Sequence, residues 1–509
     1  MSESPSQSQP KSLPPQLPAP SFVGTDHPVT EKSDVIIVGL CDDAPLSESA
    51  AAIDGLLGGV ITNLLEQGKV STDLGESMLI PGPGISGDGA TLVLLLGLGT
   101  KKKLDREAAF SQTSTAIRLL VSKPHRKIVI ALGELLQSSD HDAIVAGALF
   151  ALEGQSIYRT KSPINVPETV CVAGANPTAI DRGVILGESI NVARRLVNEP
   201  ASVVYPASFA DRASDIAKEV GLGCEVWDEK RLAEENCRAI LAVGSGSEKP
   251  PRLVILRHNG GRPGEAPIAI VGKGVTFDSG GLSIKPSDGM VDMKCDMSGA
   301  ATVIGCMRAI AKLGVKKNVI GFCGLAENMI SGSSYKLGDV IQTRSGKTIE
   351  ILNTDAEGRV VLSDTLNVAI GHNPSSMVDL ATLTGACMVA LGNDVAGLMT
   401  NDQATCDTVS SAAAIEGEPV WQLPMFKLYD EKIKSKVADI KNIGEGRWGG
   451  AITAAKFLEN FVGDVPWVHI DIAGPAFADS PKPHRDAGAT GVMVRTLVRW
   501  IENQAESTA

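Results

Sequence analysis

The chain has 509 residues, of which 43% are hydrophobic and 21% are charged, so it has enough apolar material for a core and is not globally disordered. Its 47 basic and 59 acidic side chains give a formal net charge of −12, which argues against broad binding to nucleic acids or anionic membranes. The nine cysteines are odd in number and none are spaced as CxxC, which favours reduced thiols over a disulfide framework or a thiolate zinc site.

Neither a membrane span nor a secretion signal is predicted. The longest apolar stretches, such as residues 143–152, are well short of the roughly 18 residues that cross a bilayer. The N-terminus lacks the basic and apolar regions of a signal peptide. We therefore expect a cytoplasmic protein without a membrane partner.

The first part of the chain predicts a tail, a small domain and a linker. Residues 1–32 are rich in Pro, Ser and Gln and are expected to be disordered, because proline removes backbone donors and the segment has little to bury. Residues 33–173 predict an N-terminal α/β domain. Its expected elements are strands at 34–40, 91–96 and 127–132 and a helix at 143–153. A helical pattern within 174–199 predicts a linker helix that ends before Pro200.

The remaining residues, 200–509, predict a larger C-terminal α/β domain. Its expected strands are 266–271, 318–325, 348–352 and 377–383, and helices at 297–313 and 360–370 lie between them. This alternation is typical of a mostly parallel central sheet covered by helices on both faces. The predicted fold class is therefore a two-domain α/β protein with a smaller N-terminal domain and a larger C-terminal domain.

Familiar cofactor-binding motifs are incomplete in this chain. Residues 345–348 carry the GKT of a phosphate loop, but residue 341 is Ile where a glycine is needed, and the flanking strand-like runs favour a hairpin turn. Residues 97–99 begin like a dinucleotide loop, but Lys102 stands where the third glycine belongs. There is no HExxH motif, so a metal site would have to consist mainly of carboxylates.

Three charged blocks interrupt apolar and Gly-rich sequence. They are residues 271–285, 291–300 and 353–359. Their charged members are Lys273, Asp278, Lys285, Asp296, Asp355, Glu357 and Arg359. Two blocks follow predicted strands, where open α/β sheets place their binding crevices, and the middle block precedes a predicted helix. Asp355 and Glu357 would point to the same side in extended backbone, so we expect them at a strand end, with Gly358 freeing the turn. Solvated surface turns are the alternative for any one block, but three together favour a site.

The charges of these blocks indicate a cation site. Asp278, Asp296, Asp355 and Glu357 would bring four negative charges together, and only Lys285 and Arg359 offset them. Crowded carboxylates must either protonate or recruit cations, and two divalent ions would neutralise all four. Oxygen ligands suit Mn²⁺ or Mg²⁺, and Zn²⁺ also accepts carboxylates.

The sequences NTDAEGR at 353–359 and VGKGVTFDSGGLSIKP at 271–286 resemble the leucyl (cytosol) aminopeptidase family, the M17 metallopeptidases, over roughly residues 190–505. The resemblance implies a two-metal site. Asp278 and Glu357 would bridge both ions, Lys273 and Asp296 would complete the ligands of one, and Asp355 those of the other. Lys273 would have to be neutral to act as a ligand, which is expected only while metal is bound.

The resemblance also implies roles in catalysis and specificity. Lys285 would stabilise the oxyanion, and Arg359 would hold a bicarbonate that carries a proton to the leaving amine. The pocket for the first side chain would be lined by Met293, Thr382, Gly385 and Ala473.

The function so implied is a metallo-aminopeptidase that releases unsubstituted N-terminal residues from peptides, Leu preferred, in intracellular peptide turnover. Two divalent ions per subunit (Mn²⁺, with Zn²⁺ or Mg²⁺ as alternatives) and a homohexamer are expected. An additional DNA-binding architectural role, known for some members, is the alternative. The acidic net charge disfavours it, as does a best local basic cluster of only three residues, 101–103. A phosphoryl-transfer enzyme is a third candidate, which the failed phosphate loop disfavours.

Overall fold

The computed structural model describes residues 19–85, 89–446 and 448–506. The chain divides into two compact units. The first runs to Val184 and includes Pro483–Arg485, and the second begins at Ile185 and contains the rest. The division at Val184 lies within the helical segment that the sequence predicts between the two domains.

The first unit contains one sheet with helices. Its strands are β1 (Ser21–Thr25), β2 (Ser33–Cys41), β3 (Ser77–Pro81), β4 (Ala90–Gly99), β5 (Lys127–Ile130) and β6 (Thr169–Ala173). The helices here are α1 (Glu48–Leu56), α2 (Val60–Glu66), α3 (Arg106–Leu120), α4 (His141–Ala151) and the start of α5 (Pro177–Asn198). The strand order is β1-β6-β5-β2-β4-β3, and neighbours are parallel except for β3 and β4. The central strand β2 is an almost continuous apolar run, as expected for a strand buried on both faces.

The expectation of a disordered segment over residues 1–32 is wrong for residues 21–25. These form β1, which pairs in parallel with β6, from Ser21 opposite Thr169 to Thr25 opposite Ala173. β1 is an edge strand with mostly exposed or half-buried side chains. It forms through backbone pairing and buries little apolar surface, so the hydrophobic pattern alone did not reveal it. Residues 1–18 of the predicted tail lie outside the described part of the chain.

The second unit contains the remaining elements. Its strands are β7 (Gly223–Trp227), β8 (Arg252–Asn259), β9 (Ile268–Asp278), β10 (Asn318–Asn328), β11 (Val340–Gln342), β12 (Thr348–Glu350), β13 (Ser376–Ala381), β14 (Ala396–Thr400), β15 (Val420–Gln422), β16 (Ile440–Lys441), β17 (Trp467–Asp471), β18 (Phe477–Ala478) and β19 (Gly488–Ala489). Its helices are α6 (Pro206–Val220), α7 (Glu229–Glu234), α8 (Arg238–Gly244), α9 (Ser287–Met290), α10 (Ser298–Leu313), α11 (Glu357–Ile370), α12 (Gly385–Leu391), α13 (Gln403–Glu416), α14 (Gly450–Glu459) and α15 (Val494–Glu506).

The main sheet of this unit is mixed but mostly parallel, as predicted. Among the described residues its order is β15-β14-β17-β13-β9-β10-β8-β7. β9 lies near the middle, parallel to both β10 and β13, and β13 is parallel to β17. Antiparallel pairs join β7 to β8, β8 to β10 and β14 to β17.

Helices cover both faces of β9. Ala269 and Val271 belong to the same buried cluster as Val360 and Val361 of α11. On the alternate face, a Cβ atom at Gly272 would come within 2.6 Å of Ala300 in α10. Because successive strand residues point to opposite faces, α10 and α11 lie on opposite sides of β9. The odd-numbered Lys273 therefore faces α11.

The third charged block does not follow a strand of the main sheet, and the predicted strand-end geometry of Asp355 and Glu357 is wrong. β12 belongs to a separate sheet of order β11-β12-β16 and forms an antiparallel hairpin with β11, as predicted around residues 345–348. Asp355 lies in a turn, and Glu357 is the first residue of α11. The two carboxylates converge because one lies just before a helix and the other begins it.

Among the residues that the structure describes, no helix combines the length and apolar character needed to cross a bilayer.

Candidate metal centre

The three charged blocks meet at the carboxyl ends of β9 and β10 and the N-terminus of α11. Asp278 is the last residue of β9 and lies opposite Asn328, the last residue of β10. Asp296 lies in a 3₁₀ turn that leads into α10, and Glu357 begins α11. Strand ends and a helix N-terminus thus bring together side chains that are up to 84 positions apart in sequence (Lys273 to Glu357).

Lys273 lies at the buried side of the cluster. Its Nζ is 2.8 Å from Oδ1 of Asp296 and 2.9 Å from Oε1 of Glu357, and it also donates to the backbone oxygen of Thr382 at 3.0 Å. The hydroxyl of Thr382 donates to the same oxygen of Asp296 at 2.7 Å. Lys273, Asp296 and Glu357 are all buried.

Lys285 lies on the more open side. Its Nζ is 2.9 Å from Oδ2 of Asp278 and 2.5 Å from Oδ1 of Asp355. Asp278, Asp355 and Glu357 each offer an oxygen atom such that all three lie within 4.8 Å of one another. The five residues expected to bind metal and Lys285, which is expected to be catalytic, therefore form one connected cluster.

Burial and the neighbouring charges shift the pKa values of the acidic groups in the cluster. Burial raises the pKa of Asp278, and the charge of Glu357 raises it further. Burial likewise raises the pKa of Asp296 and that of Asp355 above their ordinary values. Burial alone would raise the pKa of Glu357, but the neighbouring Lys273 and Lys285 together lower it. Such a cluster gains from additional positive charge.

The two lysines are held in the charged form. Burial alone would lower the pKa of Lys273, but Asp296, Glu357 and Asp278 together raise it. The pKa of Lys285 is raised in the same way by Asp278 and Asp355, against the effect of burial. Without metal, Lys273 is therefore protonated, and it would have to lose a proton to become a ligand.

The donor set fits divalent cations. Oδ2 of Asp296 and Oε2 of Glu357 are buried and have no hydrogen-bond partner among the described residues. Leaving a buried carboxylate oxygen unpaired costs free energy, so these atoms are explained best by a cation. Their chemistry, carboxylate oxygens with a lysine nitrogen, suits Mn²⁺, Mg²⁺ or Zn²⁺.

Gly358 has a different role from the predicted one. It lies inside α11 and does not free a turn. A Cβ atom there would be 2.3 Å from Cε and 2.4 Å from Nζ of Lys273, so glycine is needed for the lysine to pass over the helix. Gly280, by contrast, has a positive φ of 84°, and a Cβ atom there would also approach Oδ1 of Asp355 to 2.9 Å.

Sequence reasoning missed a supporting network around Thr354. Nδ2 of Asn328 donates to Oδ1 of Asp278 at 2.8 Å and to the backbone oxygen of Thr354 at 3.0 Å. The hydroxyl of Tyr335 donates to that same backbone oxygen at 2.9 Å, and the hydroxyl of Thr354 donates to the oxygen of Gly280 at 2.7 Å. Asn328 ends the strand next to β9, so the rule that sites lie at carboxyl strand ends could have found it.

Arg359 is buried in α11 beside this cluster. Its Nη1 donates to the backbone oxygen of Asn442 at 2.8 Å, and its Nε has no partner among the residues described. Burial lowers the pKa of Arg359 to about 10, which Glu357 and Asp471 offset only partly. Within the described structure the guanidinium forms no carboxylate ion pair, so it remains free to meet an anion.

Of the four residues expected to line the first side-chain pocket, Gly385 is the one that lines the cavity beside the acidic cluster. Gly385 begins α12 and lines a cavity of about 720 Å³ that also contains Asp355 and Arg359. Thr382 is engaged with Asp296, and Met293 lies in the 3₁₀ turn before α10. The backbone N–H of Ala473 donates to Oδ1 of Asp471 at 3.1 Å. The assignment of these four residues stays a prediction.

Comparison with known sequences identifies two family domains. The catalytic domain of the cytosol aminopeptidase family matches residues 191–498, and the N-terminal domain of that family matches residues 37–162. A probable cytosol aminopeptidase of Rhodopirellula baltica is 62% identical over 485 residues, which cover 93% of this chain and 95% of the relative. A probable cytosol aminopeptidase of Solibacter usitatus is 44% identical over 443 residues, covering 86% and 92%.

The solved structures to which this chain is similar include a leucine aminopeptidase and a cytosol aminopeptidase. A mutant of tomato leucine aminopeptidase superposes with a TM-score of 0.86 at 31% identity, covering 97% of this chain and 99% of that one. The bottromycin maturation enzyme BotP in complex with Mn has a TM-score of 0.83 at 34% identity, covering 93% and 99%. The cytosol aminopeptidase from Coxiella burnetii has a TM-score of 0.81 at 30% identity, covering 95% and 99%.

Proposed function

The chain belongs to the cytosol aminopeptidase family and is a metal-dependent aminopeptidase, and from this premise we propose which of its residues carry the reaction. Its substrates are peptides with an unsubstituted N-terminus. We propose that leucine is preferred at that end, as the name of the tomato neighbour suggests.

Two divalent ions are assigned to the cluster at the carboxyl end of β9. Asp278 and Glu357 would hold both ions, Lys273 and Asp296 would complete the ligands of one, and Asp355 would complete those of the other. The observation that carries this assignment is the grouping of the oxygens of Asp278, Asp355 and Glu357 within 4.8 Å, beside unpartnered oxygens of Asp296 and Glu357. Mn²⁺ is the proposed metal, because the neighbouring BotP structure contains Mn.

When bound, such ions supply Lewis acidity and a nucleophile that is available near neutral pH. Lys285 is a fixed cation next to Asp278 and Asp355, so it is placed to stabilise negative charge that develops on the peptide carbonyl oxygen. Arg359, whose buried Nε has no partner among the described residues, is proposed to hold a bicarbonate, which would supply a group able to exchange protons next to the leaving amine.

Two single substitutions separate the proposed roles. Asp355→Ala should lose bound metal, because it removes a ligand, whereas Lys285→Ala should keep the metal and lose turnover. Metal content is measured by inductively coupled plasma mass spectrometry and turnover with leucine p-nitroanilide. Lys102→Ala, an exposed lysine of the other unit, is the control for both measurements. Full metal content and undiminished rates in both variants would refute the assignment.

We propose a cytoplasmic location, which the cytosol aminopeptidase names of the relatives support, and a homohexamer, which rests on the resemblance to the family alone. Analytical ultracentrifugation of the purified chain tests the assembly, since a particle six times the mass of one chain is expected. The alternative of a DNA-binding role receives no support from the comparisons, and it is not proposed. A gel shift with duplex DNA should show no salt-sensitive retardation.

A further inference from the structure

The buried guanidinium of Arg359 is anchored by a neutral group. The backbone oxygen of Asn442, 2.8 Å from Nη1, is its one hydrogen-bond acceptor among the described residues. Glu357 and Asp471 act on Arg359 through their charges, and neither forms an ion pair with it in the described structure. An uncharged acceptor fixes the position of the guanidinium without cancelling its positive charge, so that charge remains available to an anion.

Asn442 lies where a short parallel ladder ends. β16 pairs in parallel with β12, and the last pair is Glu350 opposite Lys441. In a parallel ladder, a residue donates its N–H to one neighbour of its partner and accepts an N–H from the other. One residue further, this pattern would join the N–H of Asn442 to the oxygen of Glu350 and its backbone oxygen to the N–H of Leu352.

The side chain of Asn442 takes over the second of these two bonds. The N–H of Asn442 does donate to the oxygen of Glu350 at 3.0 Å, as in a ladder. The N–H of Leu352, however, donates to the side-chain Oδ1 of Asn442 at 2.9 Å. Nδ2 of the same side chain donates to the backbone oxygen of Asn353 at 2.6 Å. The backbone oxygen of Asn442 is therefore released from the ladder and can accept from Arg359.

We propose that Asn442 is a positioning residue for Arg359: its side-chain amide replaces the ladder carbonyl, so that its backbone oxygen is free to hold the guanidinium. This inference rests on the proposed function, in which Arg359 takes part in turnover. Without a side-chain acceptor at position 442, the N–H of Leu352 would lose its partner and draw the backbone oxygen of residue 442 toward itself. Arg359 would then lose its anchor.

The test compares four forms of the Mn²⁺-loaded full chain: the unmodified enzyme, Asn442→Ala, Arg359→Ala and the double variant. Asn442→Ala should lower kcat for leucine p-nitroanilide by about tenfold, because a small displacement of a catalytic group costs much of its effect. KM and metal content should change little. When Arg359 is already replaced by alanine, Asn442→Ala should cause no further loss of kcat, since the residue that it positions is absent.

A second variant separates positioning from general stability. Asn442→Asp keeps an oxygen for the N–H of Leu352, so it should retain more turnover than Asn442→Ala. It also introduces a charge at a fully buried position, so its unfolding temperature should be the lower of the two. A purely structural role would instead make the less stable variant the less active one.

The matched control is Asn318→Ala. The side chain of Asn318 also clamps a loop: Oδ1 accepts from the N–H of Gly261 at 3.1 Å, and Nδ2 donates to the backbone oxygens of Arg262 and Glu265 at 3.0 and 3.1 Å. Asn318 begins β10, whereas the metal centre lies at the other end of that strand. The control should keep the kcat of the unmodified enzyme.

Four outcomes would overturn the inference. These are an unchanged kcat in Asn442→Ala, the same fractional loss with and without Arg359, and a loss in Asn442→Asp as large as that in Asn442→Ala. The fourth is a loss that excess Mn²⁺ restores, which would assign Asn442 to the segment that carries Asp355. If Arg359→Ala itself keeps the full kcat, the proposed role of Arg359 fails, whatever the variants of Asn442 show.

Discussion

Lys273 reaches Glu357 because the next residue of α11 has no side chain. A Cβ atom at Gly358 would overlap the end of the lysine, at 2.3 Å from Cε. Real Cβ atoms do not approach other heavy atoms this closely, and the buried lysine has little room to move. The position of one proposed ligand thus depends on a glycine that does not itself bind anything.

Gly358→Ala should therefore weaken metal binding at least tenfold, although alanine is the better helix former. The measurement is isothermal titration of the metal-free variant with Mn²⁺. Gly55→Ala is the matched control, because Gly55 is also a helical glycine and a Cβ atom there meets nothing within 4 Å. Unchanged affinity in Gly358→Ala would show that Lys273 is not a ligand.

Asn328 acts on the metal centre through Asp278. It holds one oxygen of Asp278 at 2.8 Å and leaves Oδ2 to face Lys285. Asn328→Ala removes this hydrogen bond and the one to Thr354, so we expect a 10- to 100-fold loss of metal affinity, about the usual effect of removing a group that orients a ligand. Titration with Mn²⁺ measures the affinity, and unchanged far-ultraviolet circular dichroism excludes general misfolding. An affinity equal to that of the unmodified chain would contradict the expectation.

Several helices of the first unit are joined through one buried carboxylate. Asp142, in the first turn of α4, accepts two hydrogen bonds from Arg106 of α3, at 2.6 and 2.7 Å, and one from Arg182 of α5 at 2.8 Å. Burial would raise the pKa of Asp142, but the two arginines together lower it. An acid whose pKa is lowered by folding stabilises the folded state above its unfolded pKa of about 3.9, and this contribution is lost as the pH falls further.

Asp142→Asn should accordingly lower the free energy of unfolding by about 3–5 kcal/mol at neutral pH, since it removes the buried carboxylate that Arg106 and Arg182 share. The difference from the unmodified chain should begin to shrink as the pH falls below about 4, because the carboxyl group of the unfolded chain binds a proton there while the native carboxylate still resists protonation. Thermal unfolding followed at pH 7.5, 5 and 3.5 measures both effects. Glu168→Gln, which breaks an exposed pair with Arg126, should change stability by less than about 1 kcal/mol. An equally large effect of both substitutions would argue against the buried pair.

The elements that could be predicted from sequence are those with a strong hydrophobic signal. β2, β10 and α11 bury most of their side chains, and their apolar runs predict their ends to within three residues. The apolar run of β9 predicts its start, but the strand continues to Asp278, seven residues beyond the predicted end. β1 buries little and depends on backbone pairing with a strand about 150 residues away, which a local pattern does not contain. The blocks with charged residues were identified, but the local geometry of Asp355 and Glu357 was not. The spacing of this pair favours extended backbone, whereas the chain forms a turn at Asp355 that runs directly into α11.

At the scale of the whole molecule, the metal ions should stabilise the folded chain. A ligand that binds only the folded state adds about 2.7 kcal/mol at one hundred times its Kd. We expect a chelator to lower the unfolding temperature of the native enzyme and added Mn²⁺ to restore it. Differential scanning calorimetry measures this shift, and Asp355→Ala should show a smaller one. An unfolding temperature that is the same with and without metal, while metal content falls, would contradict a site formed by the folded state.

The contacts of Lys273 and Lys285 have a consequence for how the enzyme is made. Each ammonium group lies against two carboxylates that are proposed to bind metal, so the acidic cluster is already partly neutralised by the chain itself. A newly synthesised polypeptide can therefore fold before any ion arrives and acquire its metals afterwards. On the proposed assignment, maturation would be an exchange in which Lys273 loses a proton as the cation enters, so metal uptake would release protons into the medium.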